Sequence, residues 1–277
     1  MKNIILITLL TALTLPAFAE NTADPNKPGD MYAIIVGGIN KDPEQRQAHD
    51  KAVITLRKML LEEVNVAPER IKVLVDITSF ARKNAQVSNA ENIRKAIADM
   101  SKAVKPNDRF IFYYVGQANV VSSKLRLNLP GKDITHIQLD GQLKKIKPAL
   151  MLIVLDCPGA GLAVKSMTAD NRIIVCACRS DQPYSPRFSE YFLPALVDKT
   201  ADTDGDEKIS LLEAFTQTSK NIFQLYEKQN LLKTETPLLE DDGDGIPSQQ
   251  PWQYKTDKND GLAASKLFLI ETIQTGE

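Results

Sequence analysis

Five short apolar runs constrain this chain more than any other feature: residues 31–36 (MYAIIV), 71–75, 110–115 (FIFYYV), 149–155 and 172–178. None of them alternates apolar with polar residues. A strand with one wet face must alternate, so continuous runs of this length fit strands buried on both faces. Amphipathic segments separate them. Residues 43–63 place Val53, Leu56, Leu60 and Leu61 on one helical face. Ser88-Asn89-Ala90-Glu91 reads as a capping box, and Ile93, Ile97 and Met100 follow at helical spacing. Residues 137–146, 187–199 and 210–232 read as further helices, 79–87 as an exposed loop, and 125–129 as a hairpin arm ended by Pro130-Gly131. Residues 240–261 are polar and rich in Asp and Gly, and 262–273 form a last helix or strand. Strands alternating with helices predict an α/β fold, a mostly parallel sheet with helices on both faces. Right-handed crossovers bring the strand C-termini to one edge, where ligands of open α/β sheets bind. That edge gathers Gly37-Gly38, Gly116-Gln117, Asp156-Cys157 and residues 179–181.

The N-terminus reads as an export signal. Lys2 precedes an apolar run over 4–18, and Ala17-Phe18-Ala19 is a small-x-small cleavage pattern that puts the cut before Glu20. The run is shorter than the roughly 20 apolar residues of a membrane span, and no later stretch is apolar enough to be one. The expected location is periplasmic or secreted. Residues 20–30 form a polar tail. The remaining chain carries 33 basic and 35 acidic residues, a formal charge of −2, which gives no reason to expect nucleic acid or an anionic membrane as partner. Cys157, Cys176 and Cys178 cannot all pair. Cys176 and Cys178 face one way in a strand, so either one of them bonds Cys157 or all three are small buried hydrophobes.

The edge motifs resemble those of caspases, metacaspases and legumains, over about residues 31–232. In these cysteine peptidases the third strand ends in a Gly-His-Gly-like turn carrying the catalytic histidine. The fourth ends in Asp-x-Cys, whose Cys is the nucleophile. The matching segments here are FYYVGQAN (112–119) and IVLDCPGAG (153–161), with IIVCACRSDQP (173–183) similar to the strand before the metacaspase substrate pocket. The likeness is closest to exported legumain-like proteins of bacteria. It implies a caspase-like domain over 31–199 and a helical extension over 200–277, packed on the same domain. Two departures bear on activity. Gln117 stands at the histidine position and cannot exchange a proton. Cys157 directly follows Asp156, leaving Pro158 at the nucleophile position. The resemblance therefore implies a peptidase fold without its dyad; the alternative is an active endopeptidase using Cys157 with His49 or His136. It also implies that Asp156 and Asp181 select a basic side chain of a peptide or protein partner, against the plainer readings of a turn cap and a solvated acid.

Residues 202–213 (DTDGDEKISLLE) have the spacing of an EF-hand loop, with Asp202, Asp204, Asp206, Lys208 through its carbonyl, Ser210 and Glu213 as candidate Ca²⁺ ligands. Glu207 occupies the position where that loop takes Gly. The competing reading is an acidic turn that caps a helix. Asp241, Asp242 and Asp244 form a second acidic turn. The functional expectation is an exported, non-catalytic binder of a peptide or protein, stabilised by Ca²⁺; a third alternative is a Ca²⁺-stabilised domain with a vestigial cleft.

Overall fold

The computed structural model describes residues 29–254 and 259–270, so the expected signal peptide and most of the tail lie outside the described residues. The chain runs β1 (Met31–Gly37), α1 (Pro43–Glu62), β2 (Ile71–Val75), β3 (Gln86–Val87), α2 (Ala90–Ala103) and β4 (Arg109–Val115). It continues through β5 (Ala118–Val121), β6 (Lys124–Leu127), β7 (Ile134–Thr135), α3 (His136–Leu143), β8 (Leu150–Asp156), α4 (Val164–Met167) and β9 (Arg172–Cys176). It closes with α5 (Phe188–Ala195), α6 (Leu211–Lys228) and β10 (Leu238–Glu240).

Seven strands form one sheet in the order β10-β9-β8-β4-β1-β2-β3. Every pairing is parallel except β10 on β9. The five apolar runs are the five central strands. Alternate residues divide between two cores, as a period of two requires. Ile111, Tyr113 and Val115 of β4, with Leu152 and Val154 of β8, pack under α1, α5 and α6. Phe110, Phe112 and Tyr114, with Ile153 and Leu155, pack under α2, α3 and α4. Both faces are thus covered, which is why these strands carry no polar alternation. The hairpin arm is part of a separate antiparallel sheet, β5-β6-β7.

Local signals set the helix starts. Asp42 caps α1 by accepting from Gln45 N at 2.9 Å, with Pro43 at the first helical position. The cap of α2 is Asn89, which accepts from Asn92 N at 2.8 Å, rather than the expected Ser88. The 79–87 stretch is not all loop: it holds a 3₁₀ turn at Phe80–Arg82 and β3. Past residue 199 the chain is less helical than expected, because β10 joins the main sheet and Ala264–Lys266 is a single 3₁₀ turn. The buried Arg172 guanidinium ties β9 to α3 through Asp140 (2.7 Å) and donates to the Met167 carbonyl (2.6 Å).

Candidate binding site at the sheet edge

Chain order reverses between β1 and β4. From β1 the chain crosses to β2 through α1 on one face, then returns past β1 to β4 through α2 on the other. The crevice outside such a reversal is the usual ligand position in open α/β sheets. Gly38 and Gly116 close its floor. A Cβ on Gly38 would lie 2.2 Å from the Tyr114 hydroxyl, and one on Gly116 would lie 2.8 Å from Gly38 Cα. Side chains are therefore excluded at both positions, and the turn carrying Gln117 sits directly over the end of β1.

Gln117 is held in a polar cluster. Its Nε2 donates to Gln45 Oε1 (2.9 Å) and Ser185 Oγ (2.5 Å), while Ser185 Oγ (2.8 Å) and Asn40 Nδ2 (3.0 Å) also donate to Gln45 Oε1. The amide at the expected histidine position thus ties α1, β4 and the segment before α5 together. Beside it opens a cavity of about 420 Å³, lined by Glu44, Gln45, His49, Asp156, Ser189 and Glu190 among others. A groove between α1 and α5 continues from it along Gln47, Lys51 and Thr55.

Asp156 is the buried acid of this cavity. Its Oδ2 accepts from Ser189 N (3.0 Å) and from Ser189 Oγ, and Tyr113 OH lies 2.7 Å from that same hydroxyl. Its Oδ1 is buried with no donor. Burial pushes the carboxyl up to about 7, against the pull of the Ser189 bonds. Glu235 is also buried. It accepts from Arg187 N at Oε2 (2.5 Å), has no donor at Oε1, and is pushed up to about 8 by burial with Asp156 nearby. His49 is buried with Nδ1 unpartnered, and burial lowers it to about 4, so it is a neutral imidazole at pH 7.

Cys157 is on the other side of the sheet. Asp156 has the parity of Leu152 and Val154 and faces α1 and α5, whereas Cys157 packs with Ile153 and Leu155. A cysteine directly after Asp156 therefore has its sulfur on the opposite side of the sheet, because successive side chains point to opposite faces. The thiol is 0% exposed, and burial raises it well above its usual value. Such a group is neither a thiolate nor accessible. All three cysteines are free and buried, and Cys178 Sγ donates to the Cys157 carbonyl at 3.1 Å. His136 Nδ1 accepts from Leu125 N at 3.1 Å, on the far side of the sheet from the cavity. The structure brings neither histidine into a hydrogen bond with a cysteine among the described residues.

Asp181 is not in the cavity. It is exposed, and Arg179 clasps it at 2.9 and 2.8 Å. Of the expected substrate-selecting pair, only Asp156 lines the pocket. Ser189, Tyr113 and Glu235 complete the site without a sequence signal of their own: Ser189 opens a helix, Tyr113 sits inside an apolar run, and Glu235 lies in an irregular segment.

In the 202–213 loop, oxygens of Asp202, Asp204 and Asp206 lie within 4.8 Å of one another. Glu207 adopts φ +63°, the left-handed backbone that Gly would take more readily. Of the other expected ligands, Ser210 and Glu213 are turned elsewhere. Ser210 and Glu213 form a capping box at the start of α6, and Glu213 Oε1 also accepts from Thr203 N (2.7 Å). The incoming side differs from an EF-hand too, since α5 ends at Ala195 and only a 3₁₀ turn, Lys199–Ala201, precedes the loop. Among the described residues, no helix is long and apolar enough to cross a membrane.

No protein-family model and no curated protein matches the chain.

Proposed function

We propose that this is an exported, caspase-like pseudopeptidase that binds a peptide or protein through a basic side chain and does not cut it. The observation that carries this reading is Asp156 Oδ1: a buried carboxylate oxygen with no donor, in a cavity that also holds Glu44 and Glu190. A lysine or arginine entering the cavity supplies the missing donor, and a charged hydrogen bond in such a setting is worth more than a neutral one. The α1/α5 groove gives the flanking peptide a path over the surface. The missing chemistry follows from Gln117, whose amide has no acid or base function near neutral pH, and from the burial of Cys157 on the opposite face. The 202–213 loop is the calcium part of the proposal, with Asp202, Asp204 and Asp206 as its core and Glu213 joining only if its capping bonds open.

The test is fluorescence anisotropy with labelled peptides that differ only in Arg, Lys or the neutral isostere citrulline. Arg and Lys peptides bind the wild type at pH 8, citrulline does not, and Asp156→Asn weakens binding by about tenfold to a hundredfold. Equal capture of all three peptides, or unchanged affinity in Asp156→Asn, refutes the proposal.

A further inference from the structure

A second group of acids lies far along the chain from the 202–213 loop, at the outer edge of the main sheet. β10 ends at Glu240, whose side chain is 0% exposed. Its Oε1 accepts from Thr168 Oγ1 (2.5 Å), Gly243 N (2.9 Å) and Gly245 N (3.2 Å). Its Oε2 is buried and has no donor among the described residues. Oxygens of Glu240, Asp242 and Asp260 lie within 4.8 Å of one another.

The backbone holds this convergence in place. Asp241, next to Glu240, points the other way and accepts from Gly261 N and Ala264 N, both at 2.7 Å. Asp260 Oδ1 returns the link by accepting from Asp241 N at 2.9 Å. Two distant segments are thereby pinned so that Asp260, itself buried, meets Glu240 and Asp242. Like charges so placed repel, and no Lys or Arg among the described residues forms an ion pair with any of the three. A cleft lined by Asp242, Asp244, Tyr254 and Asp260 opens the group to solvent.

We propose that Glu240, Asp242 and Asp260 bind a calcium ion that clamps the 259–264 segment to the end of β10. Donors that are all carboxylate oxygen select a hard divalent cation. Three protein carboxylates on a fixed frame favour Ca²⁺ over Mg²⁺, which keeps most of its water and takes one or two. Glu240 Oε2 gains a partner, Asp242 and Asp244 line the entry, and water from the cleft fills the remaining positions. This site is independent of both the peptide cavity and the 202–213 loop.

The test uses the full chain with Asp204→Asn, which disables the other acidic loop. Calcium raises the melting temperature of this variant above its value in chelator, and magnesium does not. Adding Glu240→Gln abolishes the calcium response while the melting temperature in chelator stays the same or rises, since a repelling charge is gone. Terbium luminescence, sensitised by Tyr254 in the cleft, is displaced by calcium. Asp242→Asn, which is not part of the buried frame, weakens that displacement by about tenfold or more. The proposal is overturned if calcium leaves the Asp204→Asn melting temperature unchanged, if magnesium acts equally, or if Glu240→Gln responds like its parent. Should Glu240→Gln fail to fold, unchanged terbium and calcium affinity in Asp242→Asn overturns it instead.

Discussion

Asp156 gives the sharpest stability prediction, through Asp156→Asn. Its carboxyl titrates near 3.8 in an unfolded chain and at about 7 when buried in the fold. The native state therefore holds the proton more tightly than the unfolded state. Stability from this group is greatest below pH 3.8 and is lost as pH rises through 7. The gap of about three pH units corresponds to ~4 kcal/mol. Asparagine removes the charge and keeps an acceptor for Ser189 N and Oγ, but it places an NH₂ where Oδ1 has no partner, at a cost of about 1–3 kcal/mol. The variant is thus less stable than wild type at pH 4 and more stable at pH 8. The assay is urea unfolding of both proteins at intervals from pH 4 to 8, with the difference between them as the readout. That difference removes the slope of Asp260, which occurs in both proteins, whereas Glu235, raised in part by Asp156, titrates lower in the variant and adds to the difference in the same sense. A difference that stays flat across this range shows that Asp156 is not desolvated, and the cavity argument fails with it.

Three further outcomes follow from the geometry. Asp140→Ala strands the buried Arg172 guanidinium and costs about 3–5 kcal/mol in unfolding free energy, whereas Arg172→Met loses less because the Asp140 carboxylate it leaves behind keeps Lys144 at 2.6 Å; equal losses would mean that the pair is solvated. Gln117→His creates no peptide cleavage on Arg, Lys or Asn substrates, and a thiol reagent modifies none of the three cysteines until the protein unfolds, because each is buried; rapid labelling of Cys157 in native protein would refute its placement.

The central strands were legible because nothing competes with their signal: a run such as 110–115 has no wet face to serve, and no helical period either. The split between Asp156 and Cys157 was also within reach. Adjacent strand residues face opposite ways, so a cysteine directly after Asp156 must face away from it and is not merely displaced within a turn. The left-handed backbone at Glu207 follows from its place in the loop, where Gly is usual, since loop spacing sets backbone conformation locally. Other parts of the site depend on distant partners. Asp181 looked like a pocket acid, but Arg179 two residues earlier claims it. Glu213 matches a calcium ligand and a helix cap equally well in sequence, and in the fold it caps. Glu235 and Glu240 acquire meaning only from what the sheet and the Asp241 links bury around them.

The antiparallel strand β10 also bears on how the molecule comes into being. β9 is fully buried when complete, yet its outer edge is covered by residues 238–240, which follow an entire helix pair. A chain that emerges N-terminus first therefore displays a finished, apolar strand edge while α5 and α6 are still being made. Pairings between segments so far apart in sequence form slowly, and an open apolar edge is a template for another chain's strand. During that interval the molecule is most exposed to self-association, and the arrival of Leu238–Glu240 ends it.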